Sequence, residues 1–164
     1  MPEETEPHSQ GGGPAAGSLQ GENGQAHCVL AQLVIHGRTD RVGLGRDCRG
    51  RPCLRVAAHG TVADRPGWTF TLGEAVCLGL PRPAVSNRGL VAVDTPDGRF
   101  AIRFQGRVRG PRIVAEGTCT VEGASGRFEG LQATGCYRGV GGLRFQVTWS
   151  IAWPPGVAEA CRLR

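Results

Sequence analysis

Val121-Glu122-Gly123-Ala124-Ser125-Gly126-Arg127-Phe128-Glu129-Gly130-Leu131 sets three glycines around Ser125, Phe128 and Glu129, then runs into an alternating segment that ends at Tyr137. Glycine supplies backbone conformations closed to other residues, and Phe128 gives the stretch a large apolar anchor. The pattern reads as a compact turn, pinned to a core, that leads into an antiparallel strand. Gly123–Gly130 has room for one short turn of helix, and no other segment carries a helical repeat.

Outward from this turn, eight segments from Cys28 onward show period-two patterning or dense β-formers. They cover approximately 27–36, 54–63, 68–78, 86–94, 99–108, 112–121, 131–138 and 143–152. Asp97-Gly98 is a hairpin signal between the fourth and fifth. Arg109-Gly110-Pro111 and Gly139–Gly142 supply the next tight connections, while Arg38–Pro52 reads as a long loop rich in arginine and glycine. Eight antiparallel strands with mainly short connections can close into a barrel and lose their edges. The alternative is a two-sheet sandwich, which the string alone does not exclude.

The composition bounds this picture. A chain of 164 residues is one domain with enough length to bury a core. Residues 1–25 carry Glu3, Glu4, Glu6, Glu22 and no arginine, and read as a flexible acidic tail; 26–164 form the single domain. That tail is either disordered or an acidic flap over a basic barrel mouth. All 19 basic residues are arginine and lie beyond it, spread along strands without a dense run or a nucleic-acid motif, so no nucleic-acid partner is expected. The seven cysteines show no Cys-x-x-Cys pair and read as small apolar side chains. Met1-Pro2-Glu3-Glu4 lacks the basic and apolar parts of a secretory signal, and no apolar run reaches membrane-spanning length. The expectation is a cytoplasmic protein with no membrane partner.

Alternation also sorts side chains. Leu143, Phe145, Val147, Trp149 and Ile151 share one face of the last strand, opposite Arg144, Gln146, Thr148 and Ser150. Phe100, Ile102, Phe104 and Val108 share a face of the fifth, and Trp68, Phe70, Leu72, Val76 and Leu78 one of the third. Glu74 falls on that apolar face. A carboxylate there is either buried and neutralised by a raised pKa or set at a rim and paired with an arginine. Tyr137, the only tyrosine, can bury its ring and present its hydroxyl inside. His36 follows Gln32 and Val34 in parity at the end of the first segment. The histidines and cysteines show no zinc spacing, Ser125 lacks a nucleophile elbow, and Gly43-Leu44-Gly45 precedes no helix. Neither metal nor cofactor is expected.

Two motifs resemble plant allene oxide cyclases. The Gly123–Gly130 turn is similar to that family's Gly-x-Ser-Gly-x-Phe-Glu-Gly, and Phe70-Thr71-Leu72-Gly73-Glu74-Ala75-Val76 to its Phe-Ser-Leu-Gly-Asp-Leu-Val. With Gly89-Leu90 and the closing strand in family order, the resemblance spans roughly Trp68 to Ile151. It implies an eight-stranded antiparallel β-barrel of the allene oxide cyclase, dirigent-like and calycin-like kind. The family's Glu-x-Asn pair on the first strand and its cysteine after Gly-Leu are missing, since Gln32-Leu33-Val34 and Val91 stand there.

The resemblance therefore points to the bacterial allene-oxide-cyclase-like branch, including the spirotetronate Diels-Alderase-like cyclases of polyketide pathways. It implies a cofactor-independent cyclase that closes a ring in a linear polyketide or polyene by intramolecular [4+2] cycloaddition inside an apolar cavity. The tail would then be a lid, and the protein a homodimer or homotrimer. Glu74 and Tyr137 are the expected catalytic anchors, and Gln32, His36, Trp68, Phe70, Phe100, Phe104, Phe145 and Trp149 the expected substrate-binding residues. The alternative is the same barrel binding a small apolar ligand without transforming it.

Overall fold

A computed structural model describes residues 29–79, 84–110 and 113–154. The eight strands are β1 (Val29–Arg46), β2 (Pro52–Val62), β3 (Thr69–Gly79), β4 (Ala84–Thr95), β5 (Gly98–Arg109), β6 (Val114–Gly126), β7 (Gln132–Gly141) and β8 (Arg144–Trp153). Each pairs antiparallel with its neighbour in sequence, and β8 pairs back onto β1, from Val29↔Trp153 to Arg38↔Arg144. That last pairing closes the sheet and eliminates the sandwich. The acidic tail, and with it the expected lid, lies outside the described residues, as do Pro111 and Arg112 of the β5–β6 connection. Among the described residues there is no helix, and so none long and apolar enough to cross a membrane.

Alternation makes the core. β5 turns Phe100, Ile102 and Phe104 inward and Arg103, Gln105 and Arg107 outward, while β8 buries Trp149, Ile151 and Trp153. The register sorts the strand ends into two rims. One rim holds the start of β1, the end of β8 and the turns after β2, β4 and β6. Trp68, Phe100, Phe128 and Trp153 plug it, with ring centroids 4.9 to 6.0 Å apart. The turn after β6 is the one anticipated: Phe128 is 1% exposed, and a Cβ at Gly123 would collide with the carbonyl oxygen of Phe128. It is a turn on the end of a strand rather than a helix, because β6 runs on to Gly126.

The long loop expected over Arg38–Pro52 is mostly strand. β1 extends to Arg46, and only Asp47–Arg51 turn the chain. A bulge between Thr39 and Arg41 leaves Asp40 without a ladder partner, and Asp40 instead accepts from His59 at 2.7 Å. An extra residue switches the inward parity, from Ile35 and Thr39 before it to Val42 and Leu44 after it. Beyond Arg38, β1 has no β8 partner, so the β1–β2 ribbon overhangs the second rim.

Two cysteines also depart from the expectation of free apolar thiols. Cys53 and Cys77 face each other across β2 and β3 and form a disulfide on the outer wall, beside buried Ala75. The Asp47–Arg51 turn adjoins this bridge, with an Asp47 oxygen close to both sulfurs. Asp47 accepts from the backbone N–H groups of Arg49 and Arg51 and from the Arg51 guanidinium. Burial alone would raise the Asp47 carboxyl, but those donors outweigh it and hold the pKa down at about 2.

Candidate functional site

Among the described residues the second rim is open. A cavity of about 460 Å³ runs inward from it, lined by residues of all eight strands. Its walls include Ile35, Leu72, Val76, Phe104, Phe145 and Val147, and the overhanging ribbon adds Val42 and Leu54. Its floor is the aromatic group of Phe104, Tyr137 and Trp149, with centroids 5.0 to 5.5 Å apart. Among the described residues neither arginine nor histidine lines it, and its titratable groups are Glu74 and Tyr137.

A line of three polar side chains crosses this apolar space. Tyr137 Oη donates to Asn87 Oδ1 at 2.9 Å, and Asn87 Nδ2 donates to Glu74 Oε1 at 2.8 Å. Glu74 lies on β3, Asn87 on β4 and Tyr137 on β7, so two strands separate Tyr137 from its partner. The register explains how it reaches: Asn87 pairs with Gly106, Gly106 with Gly117, and Gly117 with Tyr137. Both intervening positions lack a side chain, and the phenol lies across them. A Cβ at Gly106 would stand 2.5 Å from Tyr137 Oη. Phe104 uses the same device one row on, where a Cβ at Gly89 would meet its ring at 2.6 Å.

The electrostatics follow from burial. Asn87 is 2% exposed and spends its side chain on both neighbours. Desolvation raises the Glu74 carboxyl above its ordinary range, with the Asn87 hydrogen bond pulling the other way. Among the described residues no arginine pairs with Glu74, so of the two expected alternatives the buried, raised carboxyl holds. Burial pushes Tyr137 up to about 12, which keeps its proton on the phenol at neutral pH. Cys119 beside Phe104 is raised to about 11 and stays a thiol.

Of the expected site residues, the structure brings Glu74, Tyr137, Phe104, Phe145 and Trp149 to this cavity. It does not bring the others. Gln32 and His36 are exposed on the outer wall, because inward parity in this half of β1 belongs to Leu33 and Ile35. Trp68 and Phe100 belong to the plug. Phe70 is 2% exposed and packs between the plug and Phe145, 6.3 Å from that ring, without lining the cavity. Asn87 was missed, although its signal was present: it is in step with Val91 and Val93, as Glu74 is with Leu72 and Val76.

No family model matches this chain, and no curated protein matches it either.

Proposed function

We propose that this barrel is a cofactor-independent cyclase of secondary metabolism that folds a linear, largely apolar polyketide or polyene in its cavity and closes a ring by intramolecular [4+2] cycloaddition. The observation that carries the reading is a blind, aromatic-floored cavity crossed by a single hydrogen-bonded polar line. Its 460 Å³ falls within the roughly 300–1,000 Å³ of sites that take drug-sized molecules. A cycloaddition moves no proton and needs no redox partner, so holding the reacting ends in a near-attack pose supplies the acceleration. Phe104, Phe145 and Trp149 would shape the chain, and the Glu74–Asn87–Tyr137 line would anchor one oxygen of it. Apolar walls keep water from the folded intermediate. A homodimer or homotrimer in the cytoplasm, with no nucleic acid or membrane as partner, belongs to the same reading.

The test is a metabolite comparison, by chromatography with accurate mass, between a strain carrying the gene and its clean deletion. Loss of one product with gain of an uncyclised isomer of identical mass is the expected result. An unchanged profile would refute the cyclase; purified protein that still takes up an apolar dye would then be a carrier of an unaltered ligand.

A further inference from the structure

We infer that the cavity selects neutral apolar molecules bearing a hydrogen-bond acceptor, of which a ketone or enone carbonyl is the type, and that the Glu74 carboxylic acid is the donor that recognises it. The inference rests on the cavity taking an apolar ligand, and adds to it the chemical class of that ligand.

Three observations support it. First, the polar line has a direction. Tyr137 donates to Asn87 Oδ1, which turns Asn87 Nδ2 toward Glu74, where it donates to Oε1. Oε1 is therefore held as an acceptor, and in the neutral acid the proton sits on Oε2. No hydrogen bond reaches Oε2 from the described residues, and Glu74 lines the cavity. In that acid form the site presents one O–H to an apolar space. Asn87 and Tyr137 act only through Glu74, as positioning residues.

Second, among the described residues only the Asn87 hydrogen bond favours the charged form of Glu74, and burial outweighs it. Around it, β2 contributes Leu54 and Val56, β4 contributes Asn87 and Gly89, and β1, β5 and β8 contribute Thr39, Val42, Phe104, Val108, Phe145, Val147 and Trp149. The titratable groups facing it from β6 and β7 are Cys119 and Tyr137, both neutral at pH 7. Arg55, Arg88 and Arg103 lie on the outer wall and make no ion pair with it. Burial consequently favours the acid.

Third, the lining disfavours the alternatives. Among the described residues an anionic ligand would find a second acid and no cation. A hydrocarbon would fill the walls and leave the O–H without an acceptor.

Displacement of the neutral fluorescent probe N-phenyl-1-naphthylamine from the full-length protein, between pH 5 and pH 9, tests this. The competitors share one chain length: 2-nonanone, nonane, nonanoate and nonylamine. The ketone should bind about three- to tenfold more tightly than the alkane. Its advantage should fade as pH rises through the titration of Glu74, and nonanoate should bind more weakly than the ketone. Glu74→Gln keeps an N–H donor at that position, so it should retain the advantage at every pH. Glu74→Leu should lose the advantage while still binding the alkane. Equal binding of ketone and alkane, or an unaltered pH profile in Glu74→Gln, would overturn the inference and leave the apolar cavity standing. Tightest binding by nonylamine would overturn it in favour of a carboxylate that holds an ammonium. No uptake of the probe would remove the apolar-ligand reading, and this inference with it.

Discussion

Glu74 shows how one side chain couples the fold to pH. Its folded pKa lies above its ordinary value of 4.5, because burial penalises the carboxylate. Between those two values the folded state holds more protons than the unfolded one. Its contribution to stability is therefore complete below 4.5 and declines as pH rises through the folded value. Glu74→Gln should melt with the parent at pH 4 and above it at pH 8; a constant gap between the two would contradict the shift. Asp47 behaves in the opposite sense, since its folded pKa of about 2 lies below 3.8. The turn it anchors should hold at pH 4 and loosen toward pH 2, with lower amide protection factors at Arg49 and Arg51 as the readout. Gly106→Ala tests the polar line sterically. The new methyl meets the Glu116 carbonyl oxygen across the β5–β6 pair as well as Tyr137 Oη. It therefore displaces the phenol from Asn87 and strains that pair, and overpacking of this kind costs about 1–3 kcal/mol. Urea denaturation should show that loss, and probe displacement a flatter pH dependence of ketone binding.

At the scale of elements, the β2–β3 pair is the most constrained part of the wall. Its disulfide closes a sequence separation of 24 residues, which is worth roughly 3 kcal/mol through the unfolded chain. Cys53→Ala with Cys77→Ala should lower stability by about that amount, read by chemical denaturation. Both side chains face out, so binding in the cavity should not change. An altered pH profile in the double variant would instead tie the bridge to the site. β1 carries the other decisive feature. Its bulge lets one strand close the barrel with β8 and then continue as half of an overhanging ribbon, whose Leu44 is 90% exposed. That ribbon deepens the mouth by presenting Val42 and Leu54 above the cavity.

Across the whole molecule, stability and binding are divided between the two ends. The plug holds Trp68, Phe100, Phe128 and Trp153 at 4% exposure or less, while half-buried Phe145 and Val147 line the mouth. Trp153→Ala should cost about 3–5 kcal/mol and leave the ligand affinity of the folded fraction unchanged. Val147→Trp should do the reverse, filling the cavity and abolishing probe uptake with little change in the denaturation midpoint. If both variants lose binding and stability together, the two ends are not separate.

The number and order of the strands, and the inward faces of those such as β5 and β8, were legible in the chain because period-two alternation is a local property of extended backbone. β1 was the exception, since Gln32 and His36 were expected inside and Leu33 and Ile35 stand there. Phe100-Ala101-Ile102-Arg103-Phe104 and Phe145-Gln146-Val147-Thr148-Trp149 declare their faces without reference to any other segment. The turn around Phe128 and the odd placement of Glu74 were legible for the same reason. Closure by β1 on β8, the extension of β1 to Arg46 and the Cys53–Cys77 pairing were not, because each depends on residues far apart in sequence meeting in register. The site depended on register most of all. Only the tertiary structure decided that Gly106 and Gly117 fall in one row between Asn87 and Tyr137, and so let a phenol cross two strands to direct the carboxyl of a third. It likewise decided that Trp68 and Phe100 plug one end while Phe104 and Trp149 floor a cavity at the other. Position along the barrel axis is set by the stagger of neighbouring strands, which no single strand encodes.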